Sequence, residues 1–331
     1  MRFRRLVLLG TLLTSTVPVS AVSAPSMYVA LGDSYASGAG LGPFLAGSNG
    51  CSRSPEAYPE GVARALVGTQ LDFVACAGAT IAQITTQVTQ ASLSLSGATL
   101  VTLTAGGNDV SFARLWISCV GALTTLSSGA VQYLPISGGP PACRSAVSSA
   151  AQLLGVRVNI KTAAVIAPAS VTAATLTAPS PFESRLLSLV RAVLAASASG
   201  NAGAGARVLV VSYPTLLAHR SARACRVSTS PLDLPGGATL YPVFASMATR
   251  QLIAINVVLR RETAAVVRTL QSSSPRLALV NTPSFVSIDC RTGASSDLNG
   301  LSIASLKSGG SFHPTAGGQT LLATAVLSRV S

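Results

Sequence analysis

The sequence predicts a three-layer α/β/α domain built on a parallel β-sheet. Five short runs, "MYVAL" (27–31), "LDFVA" (71–75), "TLVTLT" (99–104), "RVLVVSY" (207–213) and "RLALVN" (276–281), are rich in aliphatic and β-branched residues. Their apolarity is continuous rather than alternating, which is the pattern of strands buried on both faces. Stretches with helical spacing lie between them, and strands that alternate with helices pack as right-handed crossovers on one sheet. With 331 residues and 49% hydrophobic content the chain can bury one large core.

The first 24 residues stand outside that pattern. Arg2, Arg4 and Arg5 precede an apolar stretch from Leu6 to Leu13 and a small-residue end at Val22-Ser23-Ala24. This is the three-part arrangement of a secretory signal peptide, with cleavage expected after Ala24 or Ala21. Residues 25–331 are expected to form a single domain. Within it, "SPEAYPEGVARALVG" has helical spacing, "PFESRLLSLVRAVLAASA" repeats Leu and Val at that spacing, and "YPVFASMATRQLIAINVVLRRETAAVVRTLQ" is the longest helical candidate. A last helix is expected after "HPTAGGQ". Residues 114–180 fit the alternation poorly, because "LSSGAVQYLPISGGPPACRS" reads as loop and residues 162–182 are uncharged and rich in Ala, Thr and Pro. Three prolines there spoil a membrane span, which needs about 20 predominantly apolar residues. The segment is read as an inserted loop or cap region beside the sheet.

The formal charge of +13 becomes +10 once the three leader arginines are removed. The remaining cations are dispersed and aromatic content is only 5%, so nucleic acid is not an expected partner. A basic, soluble, secreted surface is the simpler reading, with transient contact to an anionic lipid surface as the alternative. Six cysteines (Cys51, Cys76, Cys119, Cys143, Cys225 and Cys290) form an even set with no C-x-x-C pair. In an exported chain this favours disulfides over zinc. Six cysteines permit 15 pairings; nearest-neighbour pairing (Cys51 with Cys76, Cys119 with Cys143, Cys225 with Cys290) is expected, since each closes a loop between elements.

Functional groups of a parallel sheet gather at the carboxyl ends of its strands. Ser34 stands just past the first strand in "VALGDSYASGAG", followed by small residues that let a ligand approach the backbone. A dinucleotide fingerprint fails here because the third glycine is missing. A serine nucleophile needs a base, and the chain has only two histidines. His313, in "GGSFHPTAGG" between the last strand and the last helix, can reach the top of the sheet; His219, in "LLAHRSARAC", reads as a loop residue. Acyl transfer also needs donors for a developing oxyanion. Gly78 in "ACAGAT" and Asn108 in "TAGGNDVSF" follow the second and third strands, so the first three strands all end in a usable feature.

With these residues assembled, the chain resembles the secreted SGNH, or GDSL-type, ester hydrolases, especially their actinobacterial lipase and esterase branch. Four blocks appear in order: "GDSYASG", Gly78 in "CAGAT", Gly106-Gly107-Asn108-Asp109, and His313; "CSRSPEAYP" is similar to the stretch that follows the first block. The resemblance implies a flavodoxin-like sheet and a serine ester hydrolase that needs no metal or cofactor. It implies Ser34 as nucleophile, His313 as base and then acid, and an oxyanion hole from Ser34 N–H, Gly78 N–H and the Asn108 side chain. Asp33 and Asp109 are assigned structural roles.

Two departures stand out. The first block reads GDSY, with Tyr35 expected to point away from the reacting centre. The last block is usually Asp-x-x-His, yet Gly310 lies three before His313. A backbone carbonyl of Gly310 or Ser311 is therefore expected to hold the imidazole tautomer in a Ser-His dyad, with Asp297 or Asp289 as the alternative. The expected substrate is a small-molecule or lipid ester and the expected state a monomer. A carbohydrate deacetylase is the rival within the enzyme class, and a catalytically silent glycan- or lipid-binding protein the rival outside it. Arg53, Arg220 and Arg223 are read as solvated surface residues rather than head-group ligands.

Overall fold

The computed structural model describes residues 26–125, 131–135, 139–158, 165–166, 179–199, 204–215, 225–226, 232–233, 239–244, 246–285, 297–299 and 311–330. Residues 1–25, His219, Arg220, Arg223, Asp289, Cys290 and Gly310 lie outside them. In chain order the first half runs β1 (Ser26–Gly32), α1 (Ser34–Ser37), α2 (Tyr58–Ala65), β2 (Thr69–Phe73), α3 (Ile81–Gln90), α4 (Ser92–Ser96), β3 (Ala98–Thr104), α5 (Phe112–Cys119), β4 (Val120–Thr125), β5 (Val131–Pro135) and α6 (Gly139–Leu153). The second half runs β6 (Arg157–Val158), β7 (Val165–Ile166), α7 (Pro181–Ala196), β8 (Arg207–Val211), β9 (Cys225–Arg226), β10 (Leu232–Asp233), β11 (Thr239–Phe244), α8 (Ser246–Gln271), β12 (Leu277–Val280) and α9 (Ala316–Leu327).

All five expected strands form one sheet in the order β12-β8-β3-β1-β2, and every neighbouring pair in it is parallel. The central strands β1, β3 and β8 are almost wholly buried, as continuous apolarity requires. Helices cover both faces, giving the three-layer α/β/α fold.

The poorly alternating region proves more regular than its composition suggests. β4 and β5 pair antiparallel and join β11 and β10 in a second sheet, ordered β10-β11-β4-β5. The "GGPPAC" stretch, read as loop, opens α6, because proline is tolerated in a first helical turn, where its missing N–H has no helical partner anyway. The longest helical candidate is corrected at its start: "YPVF" belongs to β11, which pairs with β4, and the helix begins only at Ser246. Pro242 would remove a helical hydrogen bond there. The last helix begins at Ala316, inside "HPTAGGQ", with Thr315 capping it by accepting from Gly318 N–H.

Two of the three expected disulfides form, Cys51–Cys76 and Cys119–Cys143. The first joins the loop after α1 to the carboxyl end of β2; the second ties α5 to α6. The Cys225–Cys290 pairing falls outside the described residues.

Two buried glutamines brace the backbone around the top of the sheet. Gln87 of α3 accepts from Gly32 N–H and donates to Gly32 C=O, both at 2.9 Å. Gln319 of α9 accepts from Tyr58 N–H at 2.9 Å and donates to Tyr35 C=O at 3.1 Å. A buried amide without a partner costs about 1–3 kcal/mol. Gln87→Leu leaves Gly32 N–H without this acceptor, so urea unfolding should report a loss of about 1–3 kcal/mol; unchanged stability would contradict the bracing role.

Candidate active site

The turn that carries Ser34 follows from local sterics. Gly32 ends β1 at φ +145°, where an added Cβ would sit 2.6 Å from Thr104 O, so glycine is required. Asp33 then caps the single turn α1, with Oδ1 accepting from Tyr35 N–H at 3.0 Å. The turn closes at Gly38, φ +79°. Ser34 is left just past the carboxyl end of β1, facing a cleft of about 330 Å³.

His313 arrives from the far end of the chain. Its Nε2 lies 2.7 Å from Ser34 Oγ, and its Nδ1 lies 2.9 Å from Ser311 O. A carbonyl oxygen only accepts, so the ring hydrogen sits on Nδ1 and the Nε2 lone pair faces the serine hydroxyl. The carbonyl doubles back on its own ring because Phe312 adopts φ +62°, a conformation unusual for a bulky residue. The surroundings hold it: Phe312 N–H donates to Asn299 O at 2.9 Å, Tyr35 Oη donates to Phe312 O at 2.8 Å, and the Phe312 ring packs 4.8 Å from Trp116.

Tyr35 therefore departs from its expected orientation. Instead of pointing away, it lines the cleft with its ring 5.5 Å from His313. A buried phenol needs an acceptor, and the one within reach is the carbonyl beside His313. The Asp297 C=O accepts from Thr315 N–H at 3.0 Å, and its Oδ1 lies beside Gly317 in the first turn of α9.

Gly78 and Asn108 line the same cleft as Ser34 and His313. Gly78 stands at φ +82°. Asn108 Nδ2 donates to Ala79 O at 3.0 Å; an amide carries a second hydrogen, which remains for an acceptor in the cleft. Asp109 Oδ2 accepts from Ile81 N–H at 2.8 Å, so the turn after β3 is fastened to the loop after β2 at two points. Ala39, Phe112 and Phe312 add apolar wall. Gly310, Asp289 and His219 are outside the described residues, and among the described residues no three His, Cys, Asp or Glu cluster as metal ligands do.

Sequence reasoning missed Tyr213. It was read as the end of the fourth strand, but β8 stops at Val211 and Tyr213 stands past its carboxyl end, the position that singled out Ser34. Its hydroxyl donates to Asp33 Oδ2 and accepts from Gly107 N–H at 2.7 Å.

The chain belongs to the GDSL-like lipase/acylhydrolase family, whose model matches residues 30–321. Among curated proteins it is similar to a lipase of Streptomyces rimosus, 43% identical over 105 residues that span 30% of this chain and 38% of that protein. Lipase 1 of Streptomyces coelicolor is 39% identical over 113 residues, 34% of this chain and 41% of the relative. The chain thus matches about two fifths of the length of these curated relatives. The crystal structure of the extracellular lipase from Streptomyces rimosus aligns over 92% of this chain and 100% of that one, with a TM-score of 0.56 and 22% identity. Phospholipase A1 from Streptomyces albidoflavus aligns over 93% and 100%, with a TM-score of 0.53 and 24% identity. Both likenesses show the SGNH-hydrolase fold.

Burial pushes the Asp33 carboxyl up to about 7, against the hydrogen bonds from Tyr213 and Tyr35, which favour its ionised form, and with a smaller upward push from Asp109. In the unfolded chain this group ionises near pH 4. Between about pH 4 and 7 the native protein holds a proton that the unfolded chain has released, so stability falls as pH rises through that window. Urea midpoints should therefore decline from pH 4 to 7, and Asp33→Asn should flatten the decline; an equal slope in the variant would refute the assignment.

Proposed function

We propose that the protein is a secreted serine ester hydrolase that cleaves carboxylic esters through an acyl-enzyme on Ser34. The observation that carries this reading is the 2.7 Å hydrogen bond between Ser34 Oγ and His313 Nε2 at the carboxyl end of the sheet, a proton-transfer distance that supports Ser34 as nucleophile and His313 as its base.

His313 Nε2 takes the Ser34 proton as Oγ bonds to the ester carbonyl carbon, and the carbonyl π electrons move to oxygen. Ser34 N–H, Gly78 N–H and the second amide hydrogen of Asn108 receive that oxyanion. The tetrahedral species collapses as the C–O bond to the alcohol breaks, and the imidazolium gives its proton to the departing oxygen. Water, deprotonated by the same imidazole, then releases the acid and frees Ser34. The Ser311 carbonyl holds Nδ1–H throughout, which makes the catalytic unit a Ser-His dyad. A carbonyl stabilises the imidazolium less than a carboxylate does, yet burying it costs less.

Export is supported by the signal-peptide-like arrangement of residues 1–24 and by the two disulfides, which persist in an oxidising compartment. For substrate we favour esters with an aliphatic acyl chain, because Ala39, Phe112 and Phe312 give the cleft an apolar wall and two of the similar proteins are a lipase and a phospholipase A1.

Hydrolysis of nitrophenyl esters from acetate to palmitate tests the proposal. Ser34→Ala and His313→Ala should each lower kcat by about 10³-fold or more, while Asp297→Ala should stay near wild type. Wild-type turnover in Ser34→Ala would sink the mechanism, and a loss at Asp297 comparable to that at His313 would replace the dyad with a triad. A preference for acetate over long chains would favour the deacetylase reading.

A further inference from the structure

Tyr213 occupies a position that the acyl-transfer steps leave unused. It is 2% exposed and stands past β8, next to β3 in the sheet. Its hydroxyl has two partners past the carboxyl ends of two other strands, β1 and β3: it donates to Asp33 Oδ2 and accepts from Gly107 N–H at 2.7 Å. Asp33 is bonded to Ser34, and Gly107 is bonded to Asn108. One oxygen atom thus spans the residue before the nucleophile and the residue before the amide donor.

The approach is close by construction. A Cβ on Gly107 would lie 2.9 Å from the Tyr213 oxygen, so only glycine admits the phenol there. The ring is held from two sides, edge-on to Tyr35 at 5.1 Å and stacked with Phe112 at 6.5 Å. Its hydroxyl therefore has a fixed place rather than a range of rotamers. Asp33 is in turn fixed by Tyr35 N–H at 3.0 Å, and the groups that face it are the phenols of Tyr35, Tyr58 and Tyr213, the Asp109 carboxylate and, across the cleft, the His313 imidazole.

We propose that Tyr213 is a positioning residue for ester hydrolysis: by bridging Asp33 and Gly107 N–H, its hydroxyl sets the separation between Ser34 Oγ and the Asn108 carboxamide. The proposal rests on the reading of Ser34 as nucleophile and Asn108 as oxyanion donor. An oxyanion donor acts on the transition state, so a displacement of Asn108 by a fraction of an ångström lowers kcat and leaves the ground-state affinity alone. The role also requires that Tyr213 act through Asn108 rather than beside it.

A double-mutant cycle reads that dependence. Tyr213→Phe keeps the ring and removes only the bridge; it should lower kcat about 10- to 100-fold with KM unchanged, and weaken inhibition by a trifluoromethyl ketone, which forms a tetrahedral oxyanion on the serine, by a similar factor. In an Asn108→Ala background the same substitution should cost less than about 2-fold, because the donor it positions is gone. Asp33→Asn keeps the acceptor for Tyr35 N–H but replaces the acceptor for Tyr213 by a donor, and should give the same pattern without leaving a buried charge. Tyr28→Phe, which removes the Tyr28 Oη–Thr102 Oγ1 bond of 2.8 Å inside the core, is the control for loss of a buried phenol and should lower Tm while leaving kcat unchanged.

Equal losses from Tyr213→Phe in both backgrounds, or a loss confined to KM, would overturn the proposal. So would wild-type kcat in both Tyr213→Phe and Asp33→Asn. If Ser34→Ala retains turnover, the hydrolase reading itself fails and this inference with it; if Asn108→Ala has no effect, or if Asn108→Ala behaves as expected and Tyr213→Phe is silent, the inference falls and the hydrolase reading stands.

Discussion

The contact between Ser34 and His313 joins residues 279 apart in sequence, and much of the structure around the cleft serves to hold it. Ser34 stands just past the first strand and His313 in the turn before the last helix, so the two meet only if that helix is fastened to the start of the chain. The fastening is polar and buried. Gln319 reaches from α9 to the backbone of Tyr35 and Tyr58, and Tyr35 reaches back to Phe312 O. The same tyrosine follows Ser34 and supports the His313 turn, so Ser34 and His313 share one brace. Buried hydrogen bonds suit this task because leaving any of these groups unpaired costs more than making the bond gains.

Buried polarity recurs along the carboxyl edge of the sheet. Tyr28 and Tyr58 place their hydroxyls on Thr102 and Thr104 of β3, and Gln87 completes Gly32. Asp33 is the costly member, a fully buried carboxyl that meets a phenol and a backbone N–H and has Asp109 as a nearby like charge. A fold selected only for stability would place an apolar residue there. An acid at this point instead caps the turn that exposes Ser34, so stability is given up where geometry is needed.

Much of this was legible from residue types alone. The five parallel strands, the positions of Ser34, Gly78, Asn108 and His313 at loop ends, and two disulfides could be read because each depends on local pattern: continuous apolarity, small residues at strand ends, an even cysteine count with neighbours paired. The second sheet was not legible, since β4 pairs with a strand more than 100 residues later and antiparallel pairing of such short segments leaves no local mark. Tyr213 escaped notice because an aromatic residue at the end of an apolar run looks like strand, and only its partners past the ends of β1 and β3 reveal otherwise.

By itself the sequence determined the layered α/β class and which side chains are chemically able to act, because strand burial and residue chemistry are properties of short segments. Tertiary structure decided which atoms meet. The ring hydrogen of His313 is placed by a carbonyl two residues away only because Phe312 is held at φ +62° by Asn299, Tyr35 and Trp116. Tyr35 turns toward that site because its hydroxyl finds an acceptor 277 residues on. Such choices are set by the partners available to a buried polar group, and those partners are known only once the chain has closed on itself.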